Sequence, residues 1–138
     1  MKLRAFLTIF FMACMTSICF GQAVRDKSNM LIGKIESDGT VRDRSNMLIG
    51  HFEKDGTIRD KSNMKIGLIE SNGTIRDRSN MKIGSIEGNG TVRDASNMKL
   101  GVIESDGDVR DKSNMLIGRV EGVKASYAAV FFFFNRFL

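Results

Sequence analysis

Residues 41–57 read V-R-D-R-S-N-M-L-I-G-H-F-E-K-D-G-T, and this 17-residue unit recurs along most of the chain. A fixed internal period outranks other sequence signals, because it predicts one structural unit packed against copies of itself. The unit begins six times, at Val24, Val41, Ile58, Ile75, Val92 and Val109. Seven positions keep one residue type in every copy, represented by Arg42, Asp43, Ser45, Asn46, Met47, Gly50 and Glu53.

The Asp-Gly and Asn-Gly pairs that end the units predict β-hairpins. Units of 17 residues that are rich in glycine and free of proline suit two short strands and two turns. A three-residue loop with Gly56 in a left-handed conformation places Phe52 opposite Ile58, which separates the apolar face from the polar one. The sequence therefore predicts five hairpins, near residues 29–43, 46–60, 63–77, 80–94 and 97–111.

The second strand of the unit departs from a simple alternation. Met47 and Ile49 are two residues apart and are predicted to share a face, whereas Leu48 is replaced by lysine in other copies and is predicted to face water. Ile49 and Phe52 are three residues apart, which breaks the period of two. A bulge or kink at Gly50 would return Phe52 to the apolar face.

Isolated hairpins are marginal in water, so each must bury its apolar face against its neighbours. The predicted fold class is all-β, with the repeated antiparallel hairpins in a pseudo-symmetric closed array. An open solenoid is the less favoured alternative, because a ring removes exposed sheet edges. Closure is predicted to come from pairing of residues 24–26, which lack a preceding strand, with residues 114–121, which lack a following one.

The first 23 residues have the pattern of a secretory signal peptide. Lys2 and Arg4 precede a nearly unbroken apolar run, and small residues allow cleavage after Ala23. The run is short for a membrane anchor, and lipid attachment at Cys14 is a weaker alternative. We therefore expect an exported protein, periplasmic or extracellular, with residues 1–23 as signal peptide, 24–122 as repeats and 123–138 as a C-terminal cap.

Removal of the signal peptide would lower the formal net charge from +5 to +3 and leave no cysteine. We therefore expect no disulfide in the working protein. The small net charge and the export signal both argue against a nucleic-acid partner.

The fixed polar residues have a structural and a functional interpretation. Asp43, Ser45 and Asn46 lie where one strand must turn into the next, and we expect an Asx-type turn there. Calcium binding is less favoured because the dense acidic loop of known calcium sites is missing. Arg42 is predicted to pair with Glu53 or Asp43 on adjoining strands. The alternative is a repeated glycan or anion contact made by Arg42, Arg59, Arg76 and Arg93.

The sequence predicts neither a catalytic residue nor a metal or cofactor. His51 is the sole histidine, and it occupies a position that varies between copies. A catalytic site is one specialised constellation, whereas these polar groups come in six equal copies. The expected protein is therefore not an enzyme.

The C-terminal tail concentrates aromatic residues in the run Phe131–Phe134, next to the single Tyr127. We expect this tail to cap the array as a strand or plug buried on both faces. Contact with a membrane or a partner is the less favoured alternative, in which exposed phenylalanines would mediate association.

The V-R-D-x-S-N-M-x-I-G runs, the Asp-Gly-Thr turns and the Phe-rich ending resemble the bacterial five-fold β-flower proteins. The resemblance spans nearly all of the mature chain and implies a small, exported all-β protein. It implies no catalytic residues. We therefore expect an exported, non-enzymatic structural or binding module, with a glycan or an envelope protein as the partner to test.

Overall fold

The computed structural model describes residues 22–134, which form a closed ring of twelve antiparallel strands around a short helix. The predicted signal peptide therefore lies outside the described residues, apart from Gln22 and Ala23. The strands are β1 (Ala23–Asp26), β2 (Leu31–Ile35), β3 (Thr40–Asp43), β4 (Leu48–Phe52), β5 (Thr57–Asp60), β6 (Lys65–Ile69), β7 (Thr74–Asp77), β8 (Lys82–Ile86), β9 (Thr91–Asp94), β10 (Lys99–Ile103), β11 (Asp108–Asp111) and β12 (Leu116–Val120). They are followed by α1 (Ala125–Ala129), which continues as a π-helical segment (Val130–Phe134).

The connections between strands lie at two ends of the ring. The Asp/Asn-Gly turns form one end, here called the turn rim. The connections of the Asp-x-Ser-Asn-Met type form the other end, here called the loop rim, at residues 27–30, 44–47, 61–64, 78–81, 95–98 and 112–115. Because neighbouring strands are antiparallel, the two kinds of connection alternate around the ring.

The turn geometry confirms the predicted hairpin register. Phe52 lies opposite Ile58, Glu53 donates its backbone amide to the carbonyl of Thr57 at 2.8 Å, and Gly56 has a φ of +96°. Glycine is favoured at this φ because it has no Cβ. The predicted bulge is also present: Val41 pairs with Gly50 and Arg42 with Leu48, which leaves Ile49 as the extra residue.

The prediction that Met47 lies on the apolar face is wrong. Met47 is 64% exposed, as are its equivalents within a few per cent. The strand β4 begins only at Leu48, so Met47 belongs to the loop and the period of two does not apply to it. The predicted exposure of Leu48 is confirmed.

The ring closes as predicted. Strand β1 pairs with β12, with Val24 opposite Val120 and Arg25 opposite Arg119. Five of the units in the ring are hairpins joined by an Asp/Asn-Gly turn, and the sixth unit is assembled from the two ends of the described chain. Strand pairing is therefore continuous, and the described sheet has no free edge.

The helix occupies the centre of the ring. The inward residues of the first strand of every unit are fully buried, and Ala128, Ala129 and Val130 are buried with them. The described part of the tail is thus a plug, and the alternative of a strand is wrong. No strand edge is left for it to pair with, so its backbone bonds within a helix. The prediction that Phe131–Phe134 are buried on both faces is also wrong, because these side chains are only partly buried. The four phenylalanines Phe131, Phe132, Phe133 and Phe134 each reach a different inward glycine, in the order Gly33, Gly118, Gly101 and Gly84.

Candidate functional site

The loop rim is built from six copies of one turn. Oδ1 of Asp43 accepts hydrogen bonds from the backbone amides of Ser45 at 2.9 Å and Met47 at 3.0 Å. The amide of Asp43 in turn donates to the carbonyl of Met47 at 3.0 Å. Asn46 has a φ of +69°, which asparagine tolerates better than most residues. These bonds confirm the predicted Asx-type turn and hold the loop backbone at both ends.

This backbone arrangement directs one methionine of each loop toward solvent. The six methionines are 61–65% exposed, although methionine is usually buried. Leu31 and Leu48 follow two of them on the same rim and are each 44% exposed. The methionines are Met30, Met47, Met64, Met81, Met98 and Met115.

The loop rim also carries exposed cations. Five loops have a lysine or arginine directly after the aspartate, and the second strand begins with lysine in three units. None of these eight side chains forms an ion pair with another residue in the range 22–134. They are Lys27, Arg44, Lys61, Arg78, Lys112, Lys65, Lys82 and Lys99.

The repeated arginines lie on the outer wall and are already paired. Nε of Arg42 contacts Glu36 at 3.2 Å, and Nε of Arg59 contacts Glu53 at 2.9 Å. The predicted pairing of Arg42 with Glu53 or Asp43 is therefore wrong, because the partner is the glutamate six residues earlier, across the Asp-Gly turn.

A second bond fixes each guanidinium: Nη1 of Arg42 donates to the carbonyl of Asn46 at 3.2 Å. These side chains are about one-third exposed. For the four arginines that the sequence nominates for ligand binding, no described residue bonds to Nη2. That nitrogen is the group they could offer to an anion or glycan, at Arg42, Arg59, Arg76 and Arg93.

One unit breaks the symmetry of the outer wall. Asp108 replaces the threonine that begins β3, β5, β7 and β9, and it is only 8% exposed. Its Oδ1 lies 2.9 Å from Nε and Nη2 of Arg119, and its Oδ2 lies 3.5 Å from Arg110. Carboxylate oxygens of Glu104, Asp106 and Asp108 lie within 4.8 Å of one another. Glu104 and Asp108 share Arg110 in an ion-pair network, whereas Oδ1 of Asp106 accepts the backbone amide of Asp108 at 3.0 Å.

The turn rim holds two clefts around the start of α1, of about 610 and 880 Å³. Glutamates of the turns and residues 124–127 line the first cleft. The ring of Tyr127 stacks on that of Phe52, with 4.2 Å between the ring centroids. Nζ of Lys124 lies over the Tyr127 ring, 5.4 Å from its centroid, at cation–π distance. Burial raises the pKa of Tyr127 above its ordinary value. Oγ of Ser126 is buried without a hydrogen-bond partner among the described residues.

His51 lies on the outer wall, opposite Arg59 on one side and Thr40 on the other. Its ring makes no hydrogen bond within the described part of the chain. The geometry thus brings no serine–histidine arrangement to this position.

The family model for the 5-fold beta-flower protein matches residues 21–136, which is most of the chain. The chain belongs to this beta-flower family. Searches among curated proteins and among solved structures found no match. Between residues 22 and 134, the beta-flower chain has no helix long and apolar enough to cross a membrane.

The exposed methionines are the feature that the sequence interpretation missed. A signal for them was present within the repeat. Buried position 52 varies among isoleucine, phenylalanine and valine, as core positions do, whereas methionine is fixed in all six copies. Core positions in this repeat exchange one apolar residue for another, and the methionine position does not, so it does not behave as a core position.

Proposed function

We propose that this beta-flower chain is an exported, non-enzymatic binding module whose binding face is the loop rim. One observation carries the proposal: the six methionines are exposed and yet identical. The outward position 51 has diverged to a different residue in every copy (Lys34, His51, Leu68, Ser85, Val102 and Arg119). The copies have therefore had time to diverge, and packing does not require an exposed methionine. Binding by the rim gives a reason for keeping it.

The architecture supports a role in binding rather than catalysis. The ring interior is filled by α1 and the phenylalanines, so the ring offers its outer surfaces to a partner. The six loops repeat the same hydrogen bonds, and so present the same groups six times on a pre-organised scaffold. Multivalent presentation raises avidity even when each contact is weak.

Export is supported by the sequence of residues 1–23, and strand β1 bears on where that segment is cleaved. The carbonyl of Gln22 accepts the amide of Ile35 at 3.0 Å, and the carbonyl of Ala23 accepts the amide of Glu121 at 3.1 Å. Cleavage after Ala23 would remove the first bond from the pairing of β1 with β2 and the second from the closure of the ring between β1 and β12. We therefore place the cleavage site after Gly21, where Cys19 and Gly21 supply the small residues. The intact mass of the exported protein checks this: a chain beginning at Gln22 is expected, and one beginning at Val24 contradicts it.

The loop-rim proposal is tested with the chain 22–138 and a variant in which Met47, Met64, Met81 and Met98 are replaced by serine. Because these side chains are exposed, the variant is expected to fold with unchanged circular dichroism. Binding to isolated envelope fractions and to a glycan array is then compared. Loss of binding in the variant supports the proposal. Equal binding by both proteins shows that the loop rim is not the binding face.

The second candidate is a glycan or anion binder that uses the free Nη2 groups of the outer arginines. A variant with Arg59→Lys and Arg76→Lys keeps the charge but loses the forked geometry. Selective loss of glycan-array binding in this variant, with no effect of the methionine changes, would favour the arginines over the loop rim.

A further inference from the structure

The chemistry of the loop rim narrows the partner class. Exposed methionine and leucine side chains alternate with unpaired lysines and arginines on one rim. A membrane-surface contact needs two components. Apolar groups enter the lipid headgroup region, and cations beside them bind lipid phosphate. Methionine also adapts its shape readily, which suits a fluid partner.

The ring geometry places the methionines and cations of the six loops in one plane. All six units repeat one strand register around a closed ring, so equivalent loop atoms lie at one level. The loop backbones are held at both ends by the aspartate bonds described above. The methionines and cations therefore form a flat crown that can meet an extended surface in a single step.

The aspartates of the loops do not cancel this positive surface. Each is half-buried, and its Oδ1 accepts two backbone amides, as Asp60 does from Ser62 at 2.9 Å and from Met64 at 3.0 Å. The charged residues on this rim that are exposed rather than half-buried are the eight cations. The surface that an approaching partner meets is positive.

The opposite rim is nearly neutral. Its repeated glutamates are each paired with an arginine, so the unpaired charges there are Asp38, Asp55 and Asp106 against the two lysines Lys54 and Lys124. A negatively charged surface would attract the loop rim much more strongly than the turn rim. The charge distribution thus selects one orientation of the ring on an anionic surface.

A second copy of the chain fits the loop rim less well. Head-to-tail stacking would place the loop-rim cations on a turn rim whose glutamates are already paired with arginines. Head-to-head stacking would bring two positive crowns together. An anionic bilayer satisfies both the apolar and the charged groups.

We propose that the loop rim docks this beta-flower protein on the surface of a bilayer that contains anionic phospholipid; this inference rests on the proposed function of the same rim. The methionines enter the headgroup region and the lysines and arginines contact lipid phosphates. The phenylalanine plug stays inside the ring and takes no part in docking.

The test is flotation of the chain 22–138 with vesicles of phosphatidylglycerol and phosphatidylcholine in equal parts, and with vesicles of phosphatidylcholine alone. The expected result is binding to the anionic vesicles that weakens as salt rises. The loop-rim charge variant has Lys61→Gln, Arg78→Gln and Lys112→Gln, and is expected to bind at least about tenfold more weakly. The four-methionine serine variant is also expected to bind more weakly.

The matched control has Lys54→Gln and Lys124→Gln, which removes cations from the turn rim only. This control is expected to bind as tightly as the unchanged protein. Equal binding to both vesicle types, no binding to either, or loss confined to the turn-rim control would overturn the membrane assignment. The protein could fail to bind either kind of vesicle while its binding to envelope fractions, or to a second copy of itself, still depends on the methionines. In that case the membrane assignment is wrong and the binding role of the loop rim stands.

Discussion

Phe133 fills the space in front of Gly101: a methyl group added to Gly101 would lie 2.5 Å from Cζ of Phe133. The same relationship joins three further phenylalanines to inward glycines of other units. Consecutive residues of the π-helical segment thus point to successive units around the ring. The repeated glycine is a socket for the plug as well as part of the bulge.

The socket predicts that Gly101→Ala lowers the free energy of unfolding by about 1–3 kcal/mol, because overpacking forces neighbouring atoms to move. The added methyl would meet both Phe133 and the carbonyl oxygen of Arg110. Urea unfolding followed by circular dichroism measures the loss.

Gly88→Ala is the matched control, since nothing lies within 4 Å of a methyl group at Gly88. Three other units carry serine at this position. The control is expected to leave stability within about 0.5 kcal/mol. Equal losses in the two variants would show that Gly101 is not a socket.

How much of this fold the sequence predicts depends on how local each feature is. The pairing of Phe52 with Ile58 follows from a segment of seven residues that contains one glycine turn, and the prediction is confirmed. The role of Gly101 depends on Phe133, which is 32 residues away in the printed sequence and lies against Gly101 in the closed ring. No local pattern contains that information.

Two errors of prediction both arise at the connections between strands. Met47 follows a left-handed residue, Asn46, so the strand alternation begins one residue later than the apolar pattern suggests. Arg42 pairs with Glu36 rather than Glu53, because the Asp-Gly turn brings Glu36 beside it, whereas the residue opposite Arg42 on β4 is Leu48, five residues before Glu53. Alternation predicts faces within a strand, and it fails where a loop or bulge resets the register.

Because the ring is closed, Val24 is expected to contribute as much to stability as the equivalent residues of the internal units. Val24 and Val92 are both fully buried, and Val24 pairs with Val120 across the junction of the chain ends. Val24→Ala and Val92→Ala are each expected to lower the free energy of unfolding by about 1.5–3 kcal/mol. The comparison uses urea unfolding of the two variants side by side. A negligible effect at Val24 beside a normal loss at Val92 would indicate an open junction.

The pair Asp108 and Arg119 predicts strong coupling on the outer wall. Asp108 is nearly buried, so removing Arg119 leaves its carboxylate with the more distant Arg110. Arg119→Val, which places there the residue of an adjacent unit, is expected to cost about 1–3 kcal/mol.

Asp108→Thr introduces the threonine found in four other units, and the double variant Asp108→Thr, Arg119→Val rebuilds the neutral pair that Thr91 and Val102 form in the adjacent unit. The double variant is expected to recover most of the loss caused by Arg119→Val alone. A double-mutant cycle from unfolding data gives the coupling energy. Additive losses would mean that the contact contributes nothing of its own.

Two turn aspartates predict a loss of stability in acid. Oδ1 of Asp38 accepts the backbone amide of Thr40 at 2.9 Å, and Asp55 accepts that of Thr57 at 3.0 Å. These bonds lower the pKa of both carboxyls below the ordinary value of 3.8. Unfolding returns each pKa to that value, so in acid the unfolded chain binds more protons than the folded one. The stabilisation is therefore complete above the unfolded pKa and is lost as pH falls through the folded pKa.

The equivalent turns with Asn72 and Asn89 supply the control, since their amide oxygens accept the same backbone amide without titrating. A variant with Asp38→Asn and Asp55→Asn should keep both turns and lose their pH dependence. Urea unfolding between about pH 5 and about pH 3 should then show a smaller fall in the free energy of unfolding than in the unchanged protein. The same fall in both proteins would assign the acid sensitivity to other carboxyls. A variant that is already less stable at neutral pH would show that the turns need the charge and not only the acceptor.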